Sequence, residues 1–194
     1  MKAVCVYCGS SYGARPVYAE AAKAFGRALV QADLALIYGG GSVGLMGTIA
    51  DEVLAHGGRA IGVIPELLMN KEVGHKGLTE LHVVPDMHQR KKKMADLSDA
   101  FVSMPGGVGT FEELFEVYTW AQLRYHEKPV ALLNIDNYYD PLLAMLKHTV
   151  EEGFMRAPFL DMLQVESDPA KLIGALKAYR PPAIDRWPEK RDAV

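Results

Sequence analysis

Short apolar runs alternate with helical patterns along the chain, and no other feature of the sequence narrows the fold as much. The runs cover residues 3–7, 34–38, 60–64, 81–84, 100–104 and 130–134. Each is about one strand long and apolar at successive positions, as expected of a strand buried on both faces. Helical patterns lie between them, over 17–31, 45–56, 87–97, 111–123 and 139–151. A last pair follows, a short strand near 162–165 and a helix over 170–179, with Asp168-Pro169 as its N-cap and first helical residue. This order predicts an α/β fold with a doubly wound, mostly parallel sheet flanked by helices, in a single domain. No repeat, low-complexity segment or linker interrupts it. The domain is expected to span 1–180, with 181–194 a Pro-rich, charged tail. A chain of 194 residues can bury a sufficient core without disulfides or metal.

Charge and cysteine usage exclude several classes of function. Lys+Arg total 21 against 24 Asp+Glu, a net charge of −3. A sequence-independent grip on a nucleic-acid polymer needs a basic excess, so that partner is not expected. No apolar stretch approaches the roughly 18 residues of a membrane span, and the first residues lack the h-region of a secretory signal. A cytoplasmic protein is therefore expected, with no membrane partner. Cys5 and Cys8 form C-x-x-C, but Cys5 lies inside the first strand and the alternation sends the two to opposite faces. They read as buried structural thiols. Neither they nor the six histidines form a zinc pattern, and H-E-x-x-H is absent, so no metal is expected.

In a doubly wound sheet, ligands bind beyond the carboxyl ends of the strands. Three of those places are rich in glycine: Cys8-Gly9-Ser10-Ser11, Gly39-Gly40-Gly41-Ser42-Val43-Gly44-Leu45-Met46-Gly47 and Pro105-Gly106-Gly107-Val108-Gly109-Thr110. Glycine lets a backbone approach a ligand closely, and a helix N-terminus offers N–H groups and a positive dipole end to a phosphate. One such loop could be no more than a tight turn. Three at one sheet edge predict nucleotide or phosphate binding. The G-x-G-x-x-G match at 39–44 follows the second strand rather than the first, which argues against a dinucleotide site, and Walker A is absent. Ser10, Ser11 and Ser42 lack a G-x-S-x-G elbow and read as hydrogen-bond donors to a ligand.

Two helices carry charge in unusual places. Thr110 and Glu113 form T-x-x-E, which on its own predicts a capping box. Glu112, Glu113 and Glu116 also bring three carboxylates to the same sheet edge, where a carboxylate can stabilise an electron-poor sugar carbon or activate water. In the helix capped by Asp86, the residues Met87, Arg90, Met94 and Leu97 share one face. Arg90 therefore points with the apolar stripe and needs an anionic partner: a ligand phosphate or one of the glutamates. Lys92 and Lys93 read as a solvated face, and Lys91 stands between the two readings.

The segment Pro105-Gly106-Gly107-Val108-Gly109-Thr110-Phe111-Glu112-Glu113 resembles the P-G-G-x-G-T-x-x-E signature of the LOG (Lonely Guy) family, the cytokinin riboside 5′-monophosphate phosphoribohydrolases. Met87–Met94 is similar to the family's second signature, an Arg-Lys pair on a helix, and 6–11 and 38–47 are also similar to family segments. The resemblance runs from Met1 to about Tyr179. It implies a Rossmann-like fold and hydrolysis of the N-glycosidic bond of a purine nucleoside 5′-monophosphate, to free base and ribose 5-phosphate. An N6-prenylated AMP is the implied substrate, with plain AMP as a second. Carried over residue by residue, Arg90 and Glu113 become the catalytic pair. Glu72, Lys91, Gly107, Val108, Gly109, Thr110, Glu112 and Thr119 become substrate contacts, and Gly9, Ser10, Gly40, Gly41, Met46 and Gly106 of the glycine-rich turns are expected to bind substrate beside them. The resemblance further implies a homodimer with its site near the interface. No lysine is marked by its context as a Schiff base, so no cofactor is expected. Glu113 is open between nucleophile, base and electrostatic stabiliser. Fold alone leaves a second class open, a non-catalytic nucleotide carrier.

Overall fold

The computed structural model describes residues 1–69 and 74–183. Seven strands, β1 (Ala3–Tyr7), β2 (Ala35–Tyr38), β3 (Ala60–Pro65), β4 (Glu80–Val84), β5 (Ala100–Ser103), β6 (Val130–Leu133) and β7 (Leu163–Glu166), form one sheet in the order β4-β3-β2-β1-β5-β6-β7. Every neighbouring pair is parallel. The helices are α1 (Val17–Gln31), α2 (Gly44–Ala55), α3 (Glu66–Met69), α4 (Met87–Leu97), α5 (Val108–Gln122), α6 (Asp140–Glu151), α7 (Ala157–Leu160) and α8 (Pro169–Ala178). A short 3₁₀ turn, Ile135–Asn137, precedes α6.

The parallel sheet follows from its central strands, which apart from Ser103 are apolar throughout and so need cover on both faces. On one face Val4, Val6 and Cys8 pack with Phe25 and Leu29 of α1, Ile49 of α2 and Leu172 of α8. On the other, Cys5, Tyr7 and Phe101 pack with Met94 of α4, Leu114 and Val117 of α5 and Leu146 of α6. Cys5 and Cys8 thus lie on opposite faces as the alternation predicts, and both thiols are free. Burial pushes the Cys5 thiol up to about 12 and the Cys8 thiol up as well, so neither is a nucleophile at neutral pH.

Two caps match expectation: Asp86 accepts from the Gln89 N–H and Asp168 from the Lys171 N–H, each at 2.8 Å. One does not. α5 begins at Val108 rather than 111, with Gly107 as N-cap and no side-chain cap. Thr110 is then the third helical residue, and the T-x-x-E pair forms no capping box. The strand order reverses between β1 and β5, so their carboxyl ends open the crevice where a doubly wound sheet binds its ligand. The expected tail lies outside the described residues from 184 onward.

Candidate active site

At the switch point the glycine turns lock together. The Gly9 N–H donates to the Pro105 carbonyl (3.1 Å), and the Leu45 N–H donates to the Gly9 carbonyl (3.0 Å). Both backbone groups of Gly9 therefore serve loop-to-loop contacts. Gly44 has a φ of +59°, and a side chain there would strike the backbone of Ser10 and Ser11. Gly40, at φ +78°, sits against Leu81 and Ile64, and its carbonyl accepts from the His75 N–H at 3.0 Å. Gly41 forms a bridge with Gly74. Met46 is buried beside Gly39, and Ser10 is exposed at the rim.

The β5–α5 turn differs. Gly106 is packed against Thr110 and Gly9, but a methyl added at Gly107 or Gly109 would meet nothing within 4 Å. These two and Val108 are exposed. The first N–H groups of α5 have no acceptor inside the helix and face this open space, which suits an anion.

Beside this opening stands an ion pair. Arg90 Nη1 lies 3.3 Å from Glu113 Oε1, with the two side chains only 9% and 11% exposed. Arg90 Nε donates to the Val63 carbonyl (3.1 Å), and Nη2 to the Gly39 carbonyl (3.4 Å). The inward arginine has found its carboxylate. Lys91 is equally buried, and its Nζ reaches Glu112 Oε1 at 2.5 Å and Glu116 Oε1 at 2.9 Å. Burial opposes its charge, but these two carboxylates outweigh that effect and hold the ammonium above its ordinary range. Each cation thus takes its own acids, Glu113 facing Arg90 while Lys91 neutralises Glu112 and Glu116.

The remaining candidates fall differently. Thr119 is exposed on α5, six residues beyond Glu113, or roughly 9 Å along the axis, and does not join this cluster within one chain. Glu72 lies outside the described residues. Tyr138, Tyr139, Arg15 and Asp136 went unmarked in the sequence, yet they brace the β5–α5 turn. Tyr139 Oη donates to the Met104 carbonyl (2.7 Å) and Tyr138 Oη to the Gly106 carbonyl (2.5 Å). Arg15 pairs with Asp136 and bonds the Tyr18 hydroxyl, and Tyr18 packs edge-on against Tyr138. Two tyrosines after an Asp-Asn turn at a strand's carboxyl end were the available signal. Among the described residues no three His, Cys, Asp or Glu side chains could hold a metal ion, and no helix is long and apolar enough to cross a membrane.

A doubly wound sheet whose switch point holds a buried Arg–Glu pair beside an open helix N-terminus defines an α/β protein of the class that binds ligands at the carboxyl ends of its strands. A family model described as "Possible lysine decarboxylase" matches residues 46–176. The chain is 50% identical over 182 residues to a cytokinin riboside 5′-monophosphate phosphoribohydrolase of Arabidopsis thaliana, covering 93% of this chain and 83% of that one. It is 49% identical over 182 residues to the enzyme of that name from Rhodococcoides fascians, covering 93% and 90%. The chain belongs to this LOG family of phosphoribohydrolases. The molybdenum cofactor binding protein of Rippkaea orientalis shares the fold, with a TM-score of 0.69 at 21% identity over 92% of this chain and 97% of that one. A molybdenum cofactor carrier protein of Chlamydomonas reinhardtii does too, at 0.68 and 21% over 91% and 96%. A decarboxylase working through a Schiff base would need a lysine with a depressed pKa, and Lys91 is held the other way.

Proposed function

We propose that the protein hydrolyses the N-glycosidic bond of purine nucleoside 5′-monophosphates, of the N6-modified cytokinin type and AMP, releasing free base and ribose 5-phosphate. The observation that carries this is the Arg90–Glu113 pair, 3.3 Å apart and shielded from water, beside the open N-terminus of α5. Breaking the bond at C1′ builds positive charge on the ribose. Glu113 is the carboxylate placed to stabilise that charge or to position the attacking water. Arg90 keeps it oriented. The 5′-phosphate rests on the N–H groups of Gly107, Val108, Gly109 and Thr110. Gly106 and Gly9 shape the turn, while Ser10, Gly40, Gly41 and Met46 line the approach from the neighbouring loops.

The carrier reading rests on the fold alone, at 21% identity. It gives the carboxylate no task, since a phosphate binder gains nothing from a glutamate at its site. The enzyme is also proposed to be a cytoplasmic homodimer. Phe115 of α5 and Leu123, the residue that follows this helix, are exposed on the same side as Thr119, and a second copy on that face is how Thr119 would join a site.

Incubation with AMP and with its N6-isopentenyl derivative should release free base. Glu113→Gln should lower the rate by roughly 10²–10⁴ at unchanged fold. No base from either compound, with tight binding retained, would establish the carrier instead. A folded Glu113→Gln enzyme with wild-type turnover would remove Glu113 from its role.

A further inference from the structure

Three consecutive carbonyls lead into α5, and each accepts from outside its own segment. Met104 accepts from Tyr139 Oη at 2.7 Å, Pro105 from the Gly9 N–H at 3.1 Å and Gly106 from Tyr138 Oη at 2.5 Å. The third bond has a consequence one residue on. The Gly106 carbonyl and the Gly107 N–H belong to one planar trans peptide, so they point in opposite directions. Pinning the carbonyl toward Tyr138 aims the Gly107 N–H away from it. On Gly107's own side lies the open space in which a Cβ would meet nothing within 4 Å.

Building this brace takes strain. Asp136 and Asn137 both have left-handed backbone, at φ +51° and +61°, the only two consecutive non-glycine residues of that kind among the described residues. Asp and Asn tolerate this conformation better than other side chains. The turn is held by the Arg15–Asp136 ion pair, by the Tyr139 N–H bond to Asn134 Oδ1 (2.7 Å), and by edge-on contacts of Tyr138 with Tyr18 and Tyr139. Strained backbone kept in place by several contacts is a recurrent mark of functional positions.

We infer that Tyr138 is a positioning residue. Its hydroxyl fixes the Gly106–Gly107 peptide so that the Gly107 N–H is presented to the phosphate of the substrate before it arrives. The inference rests on the proposed phosphate site and adds to it the group that pre-organises it. Tyr138 touches no reacting atom, so its effect falls on ligands that carry the phosphate and spares those that do not.

The test compares product inhibition by ribose 5-phosphate and by free adenine in wild-type and Tyr138→Phe enzyme. The phenyl ring keeps the contacts with Tyr18 and Tyr139 and loses only the hydroxyl. The inhibition constant for ribose 5-phosphate should rise about tenfold, and the KM for AMP with it, while adenine inhibition and kcat stay within twofold. Equal weakening for both ligands, or no change for either, overturns the inference. Wild-type enzyme indifferent to ribose 5-phosphate would instead sink the phosphate site itself. Should Tyr138→Phe fail to fold, Asp136→Asn answers the same question. It removes the ion pair with Arg15 and keeps a residue suited to left-handed backbone, and a loss of about threefold confined to ribose 5-phosphate is expected.

Discussion

The β2–α2 and β5–α5 turns use the same residue type at the same sheet edge for opposite ends. In the first, glycine is needed because there is no room. A side chain at Gly44 would meet the Ser10 backbone, one at Gly47 the Ser42 carbonyl and one at Gly39 the Arg90 guanidinium. In the second, Gly107 and Gly109 have nothing near them. The first turn is closed by the protein and the second is left for something else to close. A glycine count, or a motif match, cannot tell these cases apart. What separates them is whether backbone or empty space stands opposite the missing side chain.

Arg90 joins the two turns, with one nitrogen on the Gly39 carbonyl and another facing Glu113. Removing it should damage both, the largest single effect expected here. Arg90→Met should cost about 3–5 kcal/mol of stability, because a carboxylate only 11% exposed loses its cation. It should also abolish base release. Arg90→Lys should restore little, since an ammonium cannot span Val63, Gly39 and Glu113 together. Denaturant titration beside the base-release assay reads both effects. A folded Arg90→Met enzyme with normal turnover would separate the two turns completely.

Next in size is the closed turn alone. Gly44→Ala combines left-handed backbone with a collision against Ser10, so a loss of about 2–4 kcal/mol is expected from strain and overpacking. The KM of whatever enzyme remains folded should change little. A large KM effect at unchanged melting temperature would mean that Gly44 itself meets the ligand, and would undo the contrast.

Most of this arrangement was legible in the sequence, for reasons that also mark where legibility ends. Six strands coincide with the apolar runs and the seventh with the short strand expected near 162–165; the central ones are legible because both faces of an inner parallel strand are buried. Arg90 was visible because it shares a helical face with Met94, and a charge there needs a partner. The start of α5 was not visible. Gly109 has poor helix propensity, so the pattern predicts a start at 111 with Thr110–Glu113 as a cap. Gly107 is the N-cap and Gly109 the second helical residue, so two of the first three positions carry no side chain. Lys91 lies at the border of the apolar stripe, four residues after Met87 and three before Met94, and its acids lie 21 and 25 residues away. Tyr138 and Tyr139 grip carbonyls 32 and 35 residues distant. Periodicity reports only neighbours, so braces of this range stay silent until the chain is folded.

Lys91 offers a smaller test of how the open turn sorts its acids. Lys91→Met should cost roughly 2 kcal/mol at neutral pH, as two charge-assisted hydrogen bonds are lost and Glu112 and Glu116 are left four residues apart with like charge. The pH dependence has a definite sign. The lysine pKa is raised in the fold, so its contribution is complete below the unfolded value of about 10.4 and disappears as pH rises through the higher folded value. The gap between wild type and Lys91→Met in urea should therefore hold from pH 7 to pH 10 and close above it. A gap that narrows between pH 7 and 9 would show that the ammonium is not what holds these acids.

The smallest effect discriminates best, because two quantities should move in opposite directions. Gly109 is the second residue of α5, with no left-handed backbone and open space where its side chain would be. Gly109→Ala should therefore stabilise the protein by about 0.5–1 kcal/mol, through helix propensity and a less free unfolded chain. The same methyl would occupy the space proposed for the phosphate, so affinity for ribose 5-phosphate should fall several-fold, about 1 kcal/mol. Gly44→Ala predicts the reverse pairing, with stability lost and affinity kept. A Gly109→Ala protein that melts higher and binds ribose 5-phosphate as well as wild type would mean the anion rests elsewhere. One that melts lower would mean the open turn is closed by contacts of its own, and the two turns would then be alike.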